Sequence, residues 1–135
     1  MDKDRFERLV EDAVRRIPGR FRKLLKNISI IVEDRPGREV YQRTGTPPGH
    51  MILGLYHGVP YGRRGAEYGN VPPDVISIYQ EPIETVCRTE EEIRARIEEV
   101  LIHEIGHYFG FDDPYLHQVE KERRRIESES KKRKN

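Results

Sequence analysis

This chain has no tryptophan, a single cysteine, and no long apolar run. Each shortage removes a class of protein. One cysteine, Cys87, cannot form an intramolecular disulfide or a thiolate metal cluster, so any metal site must use other ligands. A chain of that kind suits a reducing compartment. No segment approaches the ~18 consecutive apolar residues of a membrane span, and MDKDRFERLVEDAVRRIPG at the start lacks the apolar centre of a secretory signal. A cytoplasmic location without a membrane partner is expected. Charge of one sign is lacking too. The formal net charge is only +1, which favours a soluble surface over a dedicated polyanion binder. Glycine-rich phosphate loops and Ser/His/Asp elbows are also missing.

What remains is enough for one domain. Hydrophobic residues make up 35% of 135, so the core is real but modest, and a second domain has little room. Phe6, Leu9, Val10, Ala13, Val14 and Ile17 recur at helical spacing until Pro18-Gly19 stops the pattern. A short helical or irregular piece carrying Phe21, Leu24 and Leu25 is expected next. Strands are expected at 29–34, 51–59 and 75–83, with loops at 42–50 and 60–73. The second loop, rich in Gly and Pro, is long for so small a domain.

Thr89 with Glu92 forms a capping box, and Glu90 and Glu91 suit the positive end of the helix that follows. That helix changes character along its length. Ile93 and Ile97 make a stripe in its first half, among Glu91, Arg94, Glu98 and Glu99. From Val100 to Phe109 it is apolar nearly all round, which predicts burial. Yet His103, Glu104 and His107 lie inside that run. Buried polar groups without partners are costly, so a shared divalent cation is expected to satisfy all three.

The spacing supports that expectation. Side chains at i and i+4 stack on one helical face, so His103 and His107 can aim at a common point. Glu104 lies about 60° round from His107, beside the ion and free to move a proton. H-E-x-x-H marks zinc peptidase helices for this reason. Catalytic zinc takes three protein ligands and leaves a fourth position open. Gly110 can end the helix in a left-handed conformation and turn the chain back, bringing Asp113 toward the ion. Asp113 also precedes Pro114, so it could instead cap the next helix, with Asp112 as fallback ligand or supporting partner.

The extended pattern H-E-x-x-H-x-x-G-x-x-D, together with GLYHGVP (54–60) and PDVISIYQEPI (73–83), resembles the small bacterial zincin-like metallopeptidases, or minimal zincins. The resemblance implies an α+β zincin-like single domain. It would have an N-terminal backing helix, a small twisted mixed sheet of about three to four strands, an active-site helix and a charged C-terminal helix or tail. The domain would span 1–119 and the tail 120–135. By position, His103, His107 and Asp113 would bind one Zn2+ and Glu104 would be the catalytic base. The strand 75–83 would pair with extended peptide or protein substrate. No methionine follows the motif, so the Met-turn of larger metzincins has no counterpart.

Other residues read more plainly. Tyr56, Tyr61 and Tyr79 could donate to an oxyanion, but nothing in their spacing selects one, and core packing is the simpler role. His50 and His57 are read as non-ligands, and Cys87 as a packing residue. The tail from Glu120 carries eight Lys/Arg and four Glu, and is read as a solvated helix rather than a nucleic-acid contact. A monomeric zinc peptidase is thus expected. The alternative is a zinc-stabilised binding or regulatory module with weak turnover or none.

Overall fold

A computed structural model describes residues 1–57 and 74–133. Helix α1 (Lys3–Arg16) starts at Asp2, whose Oδ1 accepts the Arg5 N–H at 2.8 Å. It buries Phe6, Leu9, Val10 and Ala13. A single turn, α2 (Gly19–Arg22), runs into a 3-10 turn and leads to β1 (Ile28–Glu33). Then come α3 (Arg38–Thr44), β2 (Gly54–His57), β3 (Asp74–Tyr79), α4 (Gln80–Val86), α5 (Glu90–Phe109) and α6 (Asp113–Arg133). The result is an α+β single domain with a small mixed sheet.

The sheet order is β1-β3-β2, with β1 parallel and β2 antiparallel to β3. A central strand is covered on both faces, so β3 reads as a nearly continuous apolar run. Ile76 and Ile78 face the main core with α1 and α5, while Tyr79 packs with Val40 and Ile52 in a second cluster. Among the described residues, no helix is long and apolar enough to cross a membrane.

Three expectations need correction. The strand expected over 75–83 ends at Tyr79, and Gln80–Val86 is helical. Pro82 is tolerated in the first turn, where backbone N–H groups lack helical partners, and Ile83 supplies the buried contact. Residues 42–44, expected in a loop, finish helix α3, which Gly45 closes at φ 71°. Within 51–59 the strand is Gly54–His57. The rest of that stretch from 58, the 60–73 loop and Tyr61 lie outside the described residues.

Helix α5 has the expected start. Thr89 Oγ1 accepts the Glu92 N–H at 3.1 Å, and Glu92 reaches back to the Arg88 N–H at 2.6 Å. It ends at Gly110, φ 70°, where the Phe111 N–H meets the Gly106 carbonyl at 2.9 Å and the Gly110 N–H meets His107 at 3.3 Å. This paired pattern satisfies the last carbonyls and reverses the chain. Helix α6 then returns along α5. Its Leu116 lies so close to Gly106 that a Cβ there would sit 2.7 Å from a leucine methyl. Further along, Val119 and Arg123 are buried, and Arg123 lies beside Glu98 of α5.

Candidate functional site

The site is built where β2 crosses α5. A Cβ on Gly54 would lie 2.5 Å from Val100 Cγ1 and 3.1 Å from the Ser77 carbonyl oxygen. Glycine here lets the strand backbone rest on the helix. The close approach brings the Tyr56 N–H to Glu104 Oε1 at 2.8 Å, linking the strand to the centre of the HEIGH segment. Below it, the Tyr56 and Tyr108 rings pack with centroids 4.6 Å apart. Gly54→Val is therefore expected to push β2 off α5 and cost about 1–3 kcal/mol through overpacking. Thermal unfolding checks the cost, and faster hydrogen exchange of the Tyr56 amide checks the lost link to Glu104.

His103 and His107 are neighbours as expected, with ring centroids 4.5 Å apart. Their surroundings are not as expected. Both histidines are exposed and Glu104 is half-buried. The turn of α5 sends Leu101, Ile102, Ile105 and Tyr108 inward and the histidines outward, so a cost of burial does not apply to the imidazoles. Burial does raise the pKa of the Glu104 carboxyl, against the opposing pull of the Tyr56 hydrogen bond and then of His107 and His103.

His103 stands between two clefts. One is lined by Thr44, Met51, Val100, His103, Glu104 and His107. The other, between α5 and α6, includes His103, Asp113, His117 and Glu120. Asp113 is the first residue of α6, but the cap is Asp112, whose Oδ1 accepts the Tyr115 N–H at 2.9 Å. Asp113 shares a cleft with His103 without joining the histidine pair. Among the described residues, no three His, Cys, Asp or Glu side chains come together as a ready ion site. The donor chemistry of His103 and His107 fits two zinc ligands, and a third is not assembled with them.

Strand 75–83 is not where a substrate could pair. Its β3 portion is hydrogen-bonded on both sides, to β1 and to β2. The strand beside α5 and Glu104 is β2. Tyr79 is buried in the second cluster, behind Ile52 and Leu55, and does not itself line the cleft. His57 lies on that same sheet face, with Nε2 2.9 Å from Ser77 Oγ and Nδ1 3.1 Å from Arg43. His50 is exposed beyond α3. Cys87 is half-buried, and burial raises its thiol pKa.

The tie from the Tyr56 amide to Glu104 and the cleft position of His117 had no counterpart in the sequence reading. The only prior signal for the first was Gly54 inside a strand, which suggests close backbone approach.

Comparison with known proteins gives a family and a fold. The model of the zincin-like metallopeptidase family matches residues 25–123. A solved structure, a conserved hypothetical protein from Thermo thermophilus, aligns with a TM-score of 0.51 at 23% identity. The alignment covers 79% of this chain and 92% of that one, and at this identity it speaks for the fold. None of the curated proteins matches.

Proposed function

The chain belongs to the zincin-like metallopeptidase family, and from that premise we propose that it is a zinc-dependent peptidase with Glu104 as general base and His103, His107 and Asp113 as zinc ligands. The observation that carries this reading is the geometry on α5. Two adjacent imidazoles open to a cleft, and a half-buried carboxylate beside them is anchored by one oxygen to β2. A zinc ion held by these residues would supply Lewis acidity toward a scissile carbonyl and a nearby water.

The chain's own residues do the rest. The Tyr56 N–H holds Glu104 Oε1, which orients the carboxylate and leaves Oε2 to accept a proton and later deliver it to the leaving amine. Burial moves Glu104 toward the pKa such an exchange needs. Asp113 is assigned as third ligand on its motif spacing, its place in the His103 cleft and the fact that Asp112 takes the capping role. Peptide or protein would be the substrate of this monomeric, cytoplasmic enzyme.

A second reading, a zinc-stabilised binding or regulatory module without useful turnover, is favoured by the separation of Asp113 from the histidine pair. Incubation with a peptide library, with and without a chelator, tests the choice. The peptidase reading expects cleavage that a chelator stops and added zinc restores. No cleavage, or cleavage indifferent to the chelator, favours the module.

A further inference from the structure

Gly106 lies inside the HEIGH segment, but it supplies neither ligand nor base. It is where α6 touches α5. A Cβ added there would meet both Leu116 methyls, at 2.7 and 2.8 Å, and the branch carbon at 3.3 Å. The whole head of the leucine rests on the helix, so turning one methyl aside does not clear that space. Further along, Arg123 lies 3.6 Å from Glu98 and Glu127 lies 3.0 Å from Arg94, so the two helices run antiparallel.

This contact has a fixed relation to the site. On α5, His103 and His107 lie about 60° and 100° round from Gly106. On α6, Asp113 and His117 stand at the same offsets from Leu116, about 60° and 100°. Equal offsets on antiparallel helices open to the same side of the line of contact. The cleft lined by His103, Asp113 and His117 is that side. Asp113 is the first residue of α6, one turn before Leu116, while ion pairs from Arg123 to Glu98 and Glu127 hold the helix two turns after it. A wedge at Gly106 therefore tilts the near end of α6, which carries Asp113, more than the far end.

From this arrangement we infer that Gly106 and Leu116 are positioning residues: the missing side chain at Gly106 lets Leu116 seat, and that seat sets how far Asp113 stands from His103. The inference rests on Asp113 as third zinc ligand, as proposed above, and holds whether or not the site turns over. Alanine is a better helix former than glycine, so Gly106→Ala should keep α5 intact and still displace Asp113.

The test titrates the full chain with zinc alone, in competition with a chromogenic chelator. Gly106→Ala is expected to weaken zinc binding about 10- to 100-fold, as loss of supporting contacts around a metal site does. Adding Leu116→Ala makes room for the new methyl and is expected to recover most of that loss. Asp113→Asn should itself weaken binding by at least as much as Gly106→Ala. In a chain already carrying Asp113→Asn, Gly106→Ala is expected to change zinc affinity by less than about 2-fold, because both act through one group. A general loosening of the fold would lower affinity in both backgrounds. Leu116→Ala alone removes the seat without a wedge. It should weaken binding in the same Asp113-dependent way, and it serves as the probe if circular dichroism shows Gly106→Ala unfolded. Unchanged zinc affinity in the folded variant, or an equal loss in the Asp113→Asn background, overturns the inference and leaves the ligand assignment standing. Zinc affinity untouched by Asp113→Asn overturns that assignment, and the inference with it.

Discussion

Glu104→Gln is expected to abolish peptide hydrolysis while leaving fold and zinc content unchanged. The substitution isolates one property. A glutamine side chain has nearly the same shape and still offers a carbonyl oxygen to the Tyr56 N–H, which lies 2.8 Å from Oε1 in the native site. What it cannot do is accept a proton near neutral pH. Loss of a positioned general base costs about 10²–10⁴-fold in rate, so kcat should fall by that factor with KM nearly unchanged. Stability should not fall, because burial already disfavours the ionised carboxylate at this position. Zinc retained per chain, an unchanged melting temperature and lost turnover together support the assignment. Turnover equal to that of the unsubstituted protein rules Glu104 out as the base. His103→Ala serves as a contrast, since losing a ligand should remove the metal and the activity together.

Half of this site could be read from the chain alone, and the reason is range. His103, Glu104 and His107 share a helix, so helical geometry suffices to place them together. The same holds for the Thr89 cap and the left-handed Gly110, whose partners lie within a few residues. Tyr56 contributes through its backbone from 48 residues away, and no side-chain pattern encodes that. Gly54 and Gly106 are similar, because their meaning depends on Val100 and Leu116 arriving from other elements.

An apolar run from Val100 to Phe109 suggested that its polar members were buried, but α5 is open to clefts along the histidine face. The fully enclosed carboxylate of this helix is Glu98, which the sequence marks only as one polar residue among Arg94, Glu91 and Glu99. Likewise the end of β3 was missed because Ile83 continues the apolar pattern beyond Tyr79 and is compatible with either period. Charge alternation in the last segment marked a solvated helix, yet Arg123 within it is buried.

Arg123→Ala should therefore be strongly destabilising although it lies outside the cleft. Arg123 is 3% exposed and lies 3.2 Å from Glu127, 3.6 Å from Glu98 and 3.6 Å from Glu99, with Glu120 closer still. Arg94, also buried, grips Glu98 and reaches Glu127 at 3.0 Å. Two guanidiniums thus hold a set of carboxylates where α6 meets α5. Removing one leaves buried negative charge short of a partner, and breaking such a pair costs about 3–5 kcal/mol. For a domain of this size that is a fall of roughly 10–18 °C in melting temperature.

Glu98 supplies the internal control. Burial pushes its carboxyl from 4.5 up to about 7, against the pull of Arg94 and Arg123 and with added repulsion from Glu127. A carboxyl whose pKa is raised on folding binds its proton more tightly in the folded state. Its contribution is fully present below the unfolded value and is lost as pH rises through the folded one. Stability measured by urea unfolding should therefore decline between about pH 5 and 8 through this group, and Glu98→Gln should flatten that decline. Arg123→Ala removes one of the three charges favouring ionisation, leaving Arg94 and Arg16, so it should raise the Glu98 pKa further. Combining it with Glu98→Gln should recover part of the lost stability, because the two side chains share one network. An Arg123→Ala protein within about 0.5 kcal/mol of the parent would mean that apolar contacts such as Val119 hold α6 in place and that the ion network contributes nothing measurable.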